Sequence, residues 1–429
     1  MTSGIFTALF LAAVAGELIL RFWLVGRNVA HVRAHSGRVP EPFQDSITPE
    51  AHRKAADYTV ARSRLNLVAI AYGTAILLAW TLGGGLDALD GWLRLHIGDE
   101  VWRGIAVIFA ALFITSLLDL PLSVYATFVI EERYGFNRTT PAVFAADLAK
   151  SALISIVLGV PLLYAILWTV DAAGAGWWMW AWAIWVAASV LQTWAYPRLI
   201  APLFNKFTPL TDVALKERVE RLAKATGFAV KDMFVMDGSR RSAHGNAYMT
   251  GLGRNKRIVF FDTLLAALDA PQVEAVLAHE IGHYRLRHVQ KMLAASALVT
   301  FAGWALLGLL ARSEWFFSGL GVSAASPYMA LLLFVMVGPV FAIYLRPLVS
   351  FVSRRFEFQA DDYAAEFSDA AALTAGLKKL YRDNANTLTP DPLYSAVFHS
   401  HPPPLTRIRH LAEIAPAPAG AGAQTPAQR

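Results

Sequence analysis

Seven apolar runs constrain this 429-residue chain more than any other feature. They lie at Gly4–Val25, Leu65–Leu86, Gly104–Ile130, Ser151–Val170, Gly176–Tyr196, Met292–Ala311 and Tyr328–Ser350. Each is near the roughly 20 residues a helix needs to cross a bilayer. In lipid the backbone must satisfy its own hydrogen bonds, so runs of this kind fold as helices. The expected fold class is therefore mainly α, a polytopic membrane protein with about seven transmembrane helices. Composition agrees: 56% of residues are hydrophobic and 16% charged, against roughly 25% charged in soluble domains. The first run is read as a spanning helix and not a signal peptide. Glu17 and Arg21 interrupt it, and no small-residue cleavage site follows.

Loop charge orients the set. The loop after the first run holds Arg27, Arg33, Arg38, Arg53, Lys54, Arg62 and Arg64, whereas the next holds only Arg94 and Arg103. The third holds Arg133, Arg138 and Lys150, and the fourth, around Asp171–Ala175, holds none. Positive loops stay in the cytoplasm. The N-terminus is thus expected outside or lumenal, with the C-terminus and the long fifth loop cytoplasmic. The expected division is five spans in 1–196, a cytoplasmic unit in 197–291, spans six and seven in 292–350, a C-terminal segment in 351–414 and a disordered Pro/Ala/Gly-rich tail in 415–429.

The 197–291 unit reads as α+β. TDVALKERVERLAKAT (Thr211–Thr226) has helical periodicity and is closed by Gly227. MFVMDGS reads as a short strand. NAYMTGLGRNKRIVFFDTLL reads as a hairpin with its turn at Gly253–Lys256, and Asp262–Leu265 opens another helix. No Lys/Arg block interleaves with aromatics, so nucleic acid is not an expected partner. The bilayer and a peptide are.

The stretch VLAHEIGHYRLRH, Val276 to His288, carries the chemistry. Residues four apart share a helix face, so His279 and His283 offer two imidazoles to one ion, with Glu280 beside them. This is the HExxH arrangement. The chain has no cysteine, so a metal must be held by His, Asp or Glu. One Zn2+ per chain suits that donor set. Zinc lowers the pKa of a water in its open position toward ~7, and Glu280 is placed to take the proton. Gly282, costly in mid-helix, points to a close approach by another element. His288 lies off the motif and is read as a surface or interface residue.

A third ligand is needed, and no third histidine follows at close spacing. In SRRFEFQADDYAAEF, Glu357 and Asp361 are one turn apart. Glu357 is read as the third zinc ligand. Asp361 is read as the acceptor for the N–H of a ligating histidine. Asp362 and Glu366 are read as solvated. About 12 Å of helix separates His283 from Lys291, and about 10 Å separates Ser350 from Glu357. Two spans thus tether the ligands, which places the site at the membrane surface.

These residues resemble the type I CAAX prenyl proteases, integral-membrane zinc metalloendopeptidases. The resemblance runs through YATFVIEERYGFNRTT (Tyr125–Thr140), IAPLFNKFTPL (Ile200–Leu210), RSAHGNAYMTGL with KRIVFFDTLL, AHEIGH, RRFEFQAD and SHPPPLTR, in that order. It implies helices that enclose a water-filled chamber, with a zinc site facing the cytosol. It implies that His279, His283 and Glu357 hold zinc and that Glu280 is the catalytic base. It implies that Asn246 holds substrate backbone beside an edge strand, where an amide can donate and accept. His401 and Arg407 are implied as a late active-site pair that stabilises an oxyanion or binds a substrate carboxylate.

The implied function is cleavage of membrane-associated, prenylated CAAX-type C-termini. The implied localisation is the ER membrane or a bacterial inner membrane. Two alternatives carry weight: a quality-control metalloprotease like the HtpX proteins, and a non-catalytic metal-bearing scaffold. The long N-terminal half argues against the first, and an intact Glu280 against the second. Charges inside spans should face protein or water. Glu17 and Arg21 are expected to pair, and Arg346 either lines the interior or snorkels from a helix end.

Overall fold

Helices longer than the bilayer is thick set the architecture. The structure, a computed structural model, describes residues 1–250 and 256–414. Among them are six continuous helices long and apolar enough to cross a membrane: Ser3–Ala34, Pro49–Trp80, Glu100–Glu131, Pro141–Phe204, His288–Leu310 and Pro327–Phe367. The 64-residue Pro141–Phe204 run reverses at Gly174, whose φ of 52° is open to glycine, so its arms Pro141–Ala173 and Trp177–Ala195 pack side by side. The crossings thus match the seven apolar runs.

The second span differs from its expected bounds. Its helix starts at Pro49, capped by Thr48, and ends at Trp80. A new helix, Gly85–Arg94, begins after a turn at Gly84 with φ 74°. At 1.5 Å per residue, 32 residues rise about 48 Å, well beyond the ~30 Å hydrocarbon layer. The extra turns are polar, with His52, Arg53, Lys54 and Asp57, and form a stalk outside the apolar run.

One apolar core lies among the spans, around Phe10, Leu86, Ile166 and Tyr328. A second lies at the site-bearing end, around Phe43, Ile258, Phe260, Leu277, Ile281 and Leu411. That second core rests on a four-stranded sheet: β1 (Phe207–Pro209), β2 (Val230–Met236), β3 (Ala247–Thr250) and β4 (Lys256–Phe261), in the order β1-β2-β4-β3. The expected hairpin is present as the antiparallel β3–β4 pair. Its expected turn, Gly253–Lys256, lies outside the described residues except for Lys256, as does the tail 415–429. The helix expected at Thr211–Thr226 spans Val213–Ala225, with Asp212 as N-cap. The short β1 and the parallel β2–β4 pairing were not expected. Among the described residues β3 is an edge strand, with β4 as its one sheet neighbour.

The Tyr125–Thr140 segment is tied to the chain before β3. Arg138 N–H donates to Arg241 O at 3.1 Å, and Ala243 N–H to Phe136 O at 3.1 Å. Phe136 stacks on His244 at 4.4 Å, and Arg241 grips Asp147 through two bonds of 2.7 and 2.9 Å. These contacts fix the loop that leads into Asn246.

Candidate metal centre

Two helices carry the centre. The first, Ala270–Arg285, starts at a reciprocal capping box in which Asp269 accepts from Gln272 N–H at 3.1 Å and Gln272 Oε1 accepts from Asp269 N–H at 3.3 Å. Val273, Leu277 and Ile281 bury one face in the core, which turns His279 and His283 toward the second helix, Arg346–Phe367. Gly282 makes that approach possible: a Cβ there would meet Ala360 Cα at 3.2 Å and Tyr363 Cβ at 3.1 Å.

The helices bring His279, His283 and Glu357 together, with one ligand atom from each within 4.8 Å of the others. His279 Nε2 lies 3.1 Å from His283 Nε2, 3.5 Å from Glu357 Oε2, and His283 Nε2 lies 3.4 Å from Glu357 Oε1. A tetrahedral ion with bonds of about 2.0–2.2 Å keeps its donors roughly 3.3–3.6 Å apart. The two imidazole–carboxylate separations fall in that range, and the 3.1 Å between the imidazoles lies just below it. Glu357 Oε2 is buried and receives no well-aligned hydrogen bond, although His401 Nδ1 lies 2.8 Å away. Glu280, half-buried, follows His279 directly.

The rest of each ring is held. His279 Nδ1 lies 2.8 Å from Asp361 Oδ1 and 3.1 Å from Arg407 Nη2, and an Nδ1–H directed at the carboxylate leaves the Nε2 lone pair for the convergent point. Asp361 is fully buried and is gripped by Arg407 through Nε at 2.8 Å and Nη2 at 2.7 Å. Arg407 Nη1 lies 3.7 Å from Glu357 Oε2. Burial and the Arg407 charge push the His279 imidazolium down, but hydrogen bonds with Asp361 and Glu357 outweigh them and raise it above its ordinary value.

His288 overturns the surface reading. It is 3% exposed, stacked on Phe356 at 4.2 Å, with its Nδ1 3.0 Å from His283 Nδ1 and its Nε2 2.9 Å from Gln359 Oε1. One assignment satisfies both bonds: His288 Nε2–H donates to Gln359, and His283 Nδ1–H donates to His288. His283 Nε2 is then a free acceptor. Sequence spacing hid this because the helix breaks at Arg287, whose φ of 58° is rare for a side-chain-bearing residue. The break folds His288 back over His283. Asp362 and Glu366 are exposed, as expected, and Asp362 pairs with His410 at 2.7 Å.

A cavity of about 820 Å³ opens beside the centre, lined in part by Asn246, His401 and Arg407. Asn246 is exposed at the start of β3. Gly245 N–H, just before it, donates to Asn384 Oδ1 at 3.1 Å, which fixes its backbone. His401 is exposed at the rim.

The chain is matched in known proteins. Residues 28–206 match the CAAX prenyl protease N-terminal family of five membrane helices, and residues 209–415 match peptidase family M48. The CAAX prenyl protease 1 homologue of Arabidopsis thaliana is 36% identical over 388 residues, covering 87% of this chain and 90% of that protein. The chain belongs to the CAAX prenyl protease 1 family of M48 peptidases. The Saccharomyces cerevisiae CAAX prenyl protease 1 is 34% identical over 403 residues, 87% of this chain and 88% of its own. The crystal structure of S. mikatae Ste24p superposes with a TM-score of 0.89 at 30% identity, covering 95% of this chain and 99% of that one. An M48 membrane metalloendopeptidase requires a metal, and the His279–His283–Glu357 group fits one.

Proposed function

We propose that this chain is a zinc endopeptidase that cleaves prenylated, CAAX-type C-terminal peptides at the cytoplasmic face of its membrane. The observation that carries the reading is the convergence of His279, His283 and Glu357 within 4.8 Å beside a large cavity. The names of its relatives support the substrate class. The arginine-rich first loop supports the cytoplasmic placement. We assign His279, His283 and Glu357 as the zinc ligands.

A bound Zn2+ supplies Lewis acidity and makes a water acidic enough to ionise near neutral pH. The chain's own residues do the rest. The free edge of β3 accepts an extended peptide as an added strand, and Asn246 meets its backbone. Glu280 takes a proton from the attacking water as the oxygen adds to the scissile carbonyl carbon. It then hands that proton to the amine as the C–N bond breaks. His401, at the rim, donates to the oxyanion that develops on the carbonyl. Arg407 spends Nε and Nη2 on Asp361, so we assign it to holding the His279–Asp361 pair rather than to substrate. Asp361 fixes the His279 tautomer.

Hydrolysis of a farnesylated CAAX peptide against its unprenylated counterpart tests the reading. The prenylated peptide is expected to be cleaved markedly faster. Equal rates on both would contradict the substrate class and favour an HtpX-like quality-control role.

A further inference from the structure

The cavity beside the metal centre is lined by four arginines, Arg21, Arg62, Arg346 and Arg407, and by no aspartate or glutamate. Three of the four are matched by acids outside the lining. Arg21 Nε lies 2.9 Å from Glu17 Oε1, Arg62 Nη1 lies 3.4 Å from Glu131 Oε1, and Arg407 is bound twice by Asp361. Arg346 has no carboxylate within ion-pair distance among the described residues. Its guanidinium sits over the Phe398 ring, 5.1 Å from the centroid, and Phe398 lines the same cavity. Arg346 lies within the Pro327–Phe367 run and lines this cavity, and a charge on a spanning helix turns to protein or water rather than to lipid. The cavity therefore carries one uncompensated positive charge, and that charge is Arg346.

Distance gives the charge a purpose. Arg346 and Glu357 stand on one helix, eleven positions apart, a rise of about 16 Å. An extended peptide advances about 3.3 Å per residue. A chain that runs along this helix with its scissile bond at Glu357 reaches Arg346 within about three to five residues, depending on how far the arginine side chain extends. A C-terminal peptide ends in an anion at just such a distance, and guanidinium pairs with carboxylate through two parallel hydrogen bonds.

We propose that Arg346 anchors the free α-carboxylate of a CAAX-type substrate while its C-terminal residues are released. The inference rests on the peptide-substrate reading above, and its test does not require turnover.

The probe is an N-terminally labelled farnesylated CAAX peptide, made as the free acid and as the C-terminal carboxamide. Binding is followed by fluorescence anisotropy to full-length, zinc-loaded Glu280→Gln protein in zwitterionic nanodiscs. The free acid is expected to bind about tenfold tighter than the carboxamide, the scale of a charge-assisted hydrogen bond. Arg346→Leu is expected to erase that ratio, and Arg346→Lys, which keeps a point charge, to retain part of it. Zinc content and melting temperature separate a lost contact from a lost fold. Equal binding of acid and carboxamide to the Arg346-containing protein overturns the proposal, as does a ratio that survives Arg346→Leu. A third arm adds anionic phospholipid to the discs. If Arg346→Leu abolishes an effect of that lipid and leaves the acid-to-amide ratio intact, the guanidinium holds a lipid phosphate and the proposal falls. Failure to bind either peptide removes the substrate reading, and this inference falls with it.

Discussion

Nδ1 of His279 lies 2.8 Å from Oδ1 of Asp361 in the closed space between the HEIGH helix and the EFQAD helix. Asp361 is fully buried, and its charge is answered from the other side by Arg407. One carboxylate thus sets a ring tautomer and neutralises a buried guanidinium.

Asp361→Ala should therefore do two separable things. It frees His279 to rotate, which should weaken metal binding roughly 10- to 100-fold. It also strands Arg407 without its partner, which should cost about 3–5 kcal/mol of stability. Adding Arg407→Met should recover much of the melting temperature but not the metal affinity. Thermal melts and zinc titrations on both variants check this. Recovery of both together would contradict the division of labour.

Removal of His288 should act through His283. His288→Ala leaves the His283 Nδ1–H without its acceptor, and metal affinity should fall at least tenfold while the helical content holds. His288→Gln, which keeps an acceptor, should lose less. Competition with a calibrated chelator measures both. Unchanged affinity in His288→Ala would mean that the contact is incidental.

Gly282→Ala sets two effects against each other. Alanine gains about 1 kcal/mol of helix propensity over glycine. Its Cβ would meet Ala360 Cα at 3.2 Å, however, and backbone cannot move aside as a side-chain tip can. Overpacking of this kind costs about 1–3 kcal/mol. The clash should win, and the melting temperature and metal affinity should fall together because the same shift separates Glu357 from the histidines. A stabilised variant would refute the close packing.

The protonation of His279 gives a pH dependence with a definite sign. Burial and Arg407 lower its pKa in the fold, but Asp361 and Glu357 together outweigh them and hold it above the ordinary imidazole value. In chelator-treated protein the resulting stabilisation is full below about pH 6.5, the unfolded value. It is lost as pH rises through the higher folded value. Metal must displace that proton, so zinc affinity should climb with pH across the same window. Melting curves of zinc-free protein and zinc titrations between about pH 5.5 and 8.5 bracket the window around the ordinary value. A zinc affinity flat in pH would contradict it.

What could be seen in the sequence was what is local. The apolar runs mark the bilayer-crossing parts because hydropathy acts residue by residue. The helical four-residue repeat suffices to place His279 beside His283 and Glu357 beside Asp361. The polar stalk from Pro49 escaped notice because it is helical without being apolar. The parallel β2–β4 pairing joins strands with β3 between them in sequence, and periodicity carries no such long-range information. His288 was misread because a single left-handed residue, Arg287, ends the helix whose spacing would otherwise point His288 elsewhere. Arg407 could be marked as a cation near the site, but its partner could not, since Asp361 lies 46 positions away.

The central claim is one metal ion held by His279, His283 and Glu357. Anomalous diffraction from crystals of the purified full-length protein, recorded on either side of the zinc absorption edge, tests it most directly. The account predicts a single strong peak that disappears below the edge, bounded by those three side chains. A peak elsewhere in the chain, or a refined site in which Glu357 makes no contact with the ion, would contradict it.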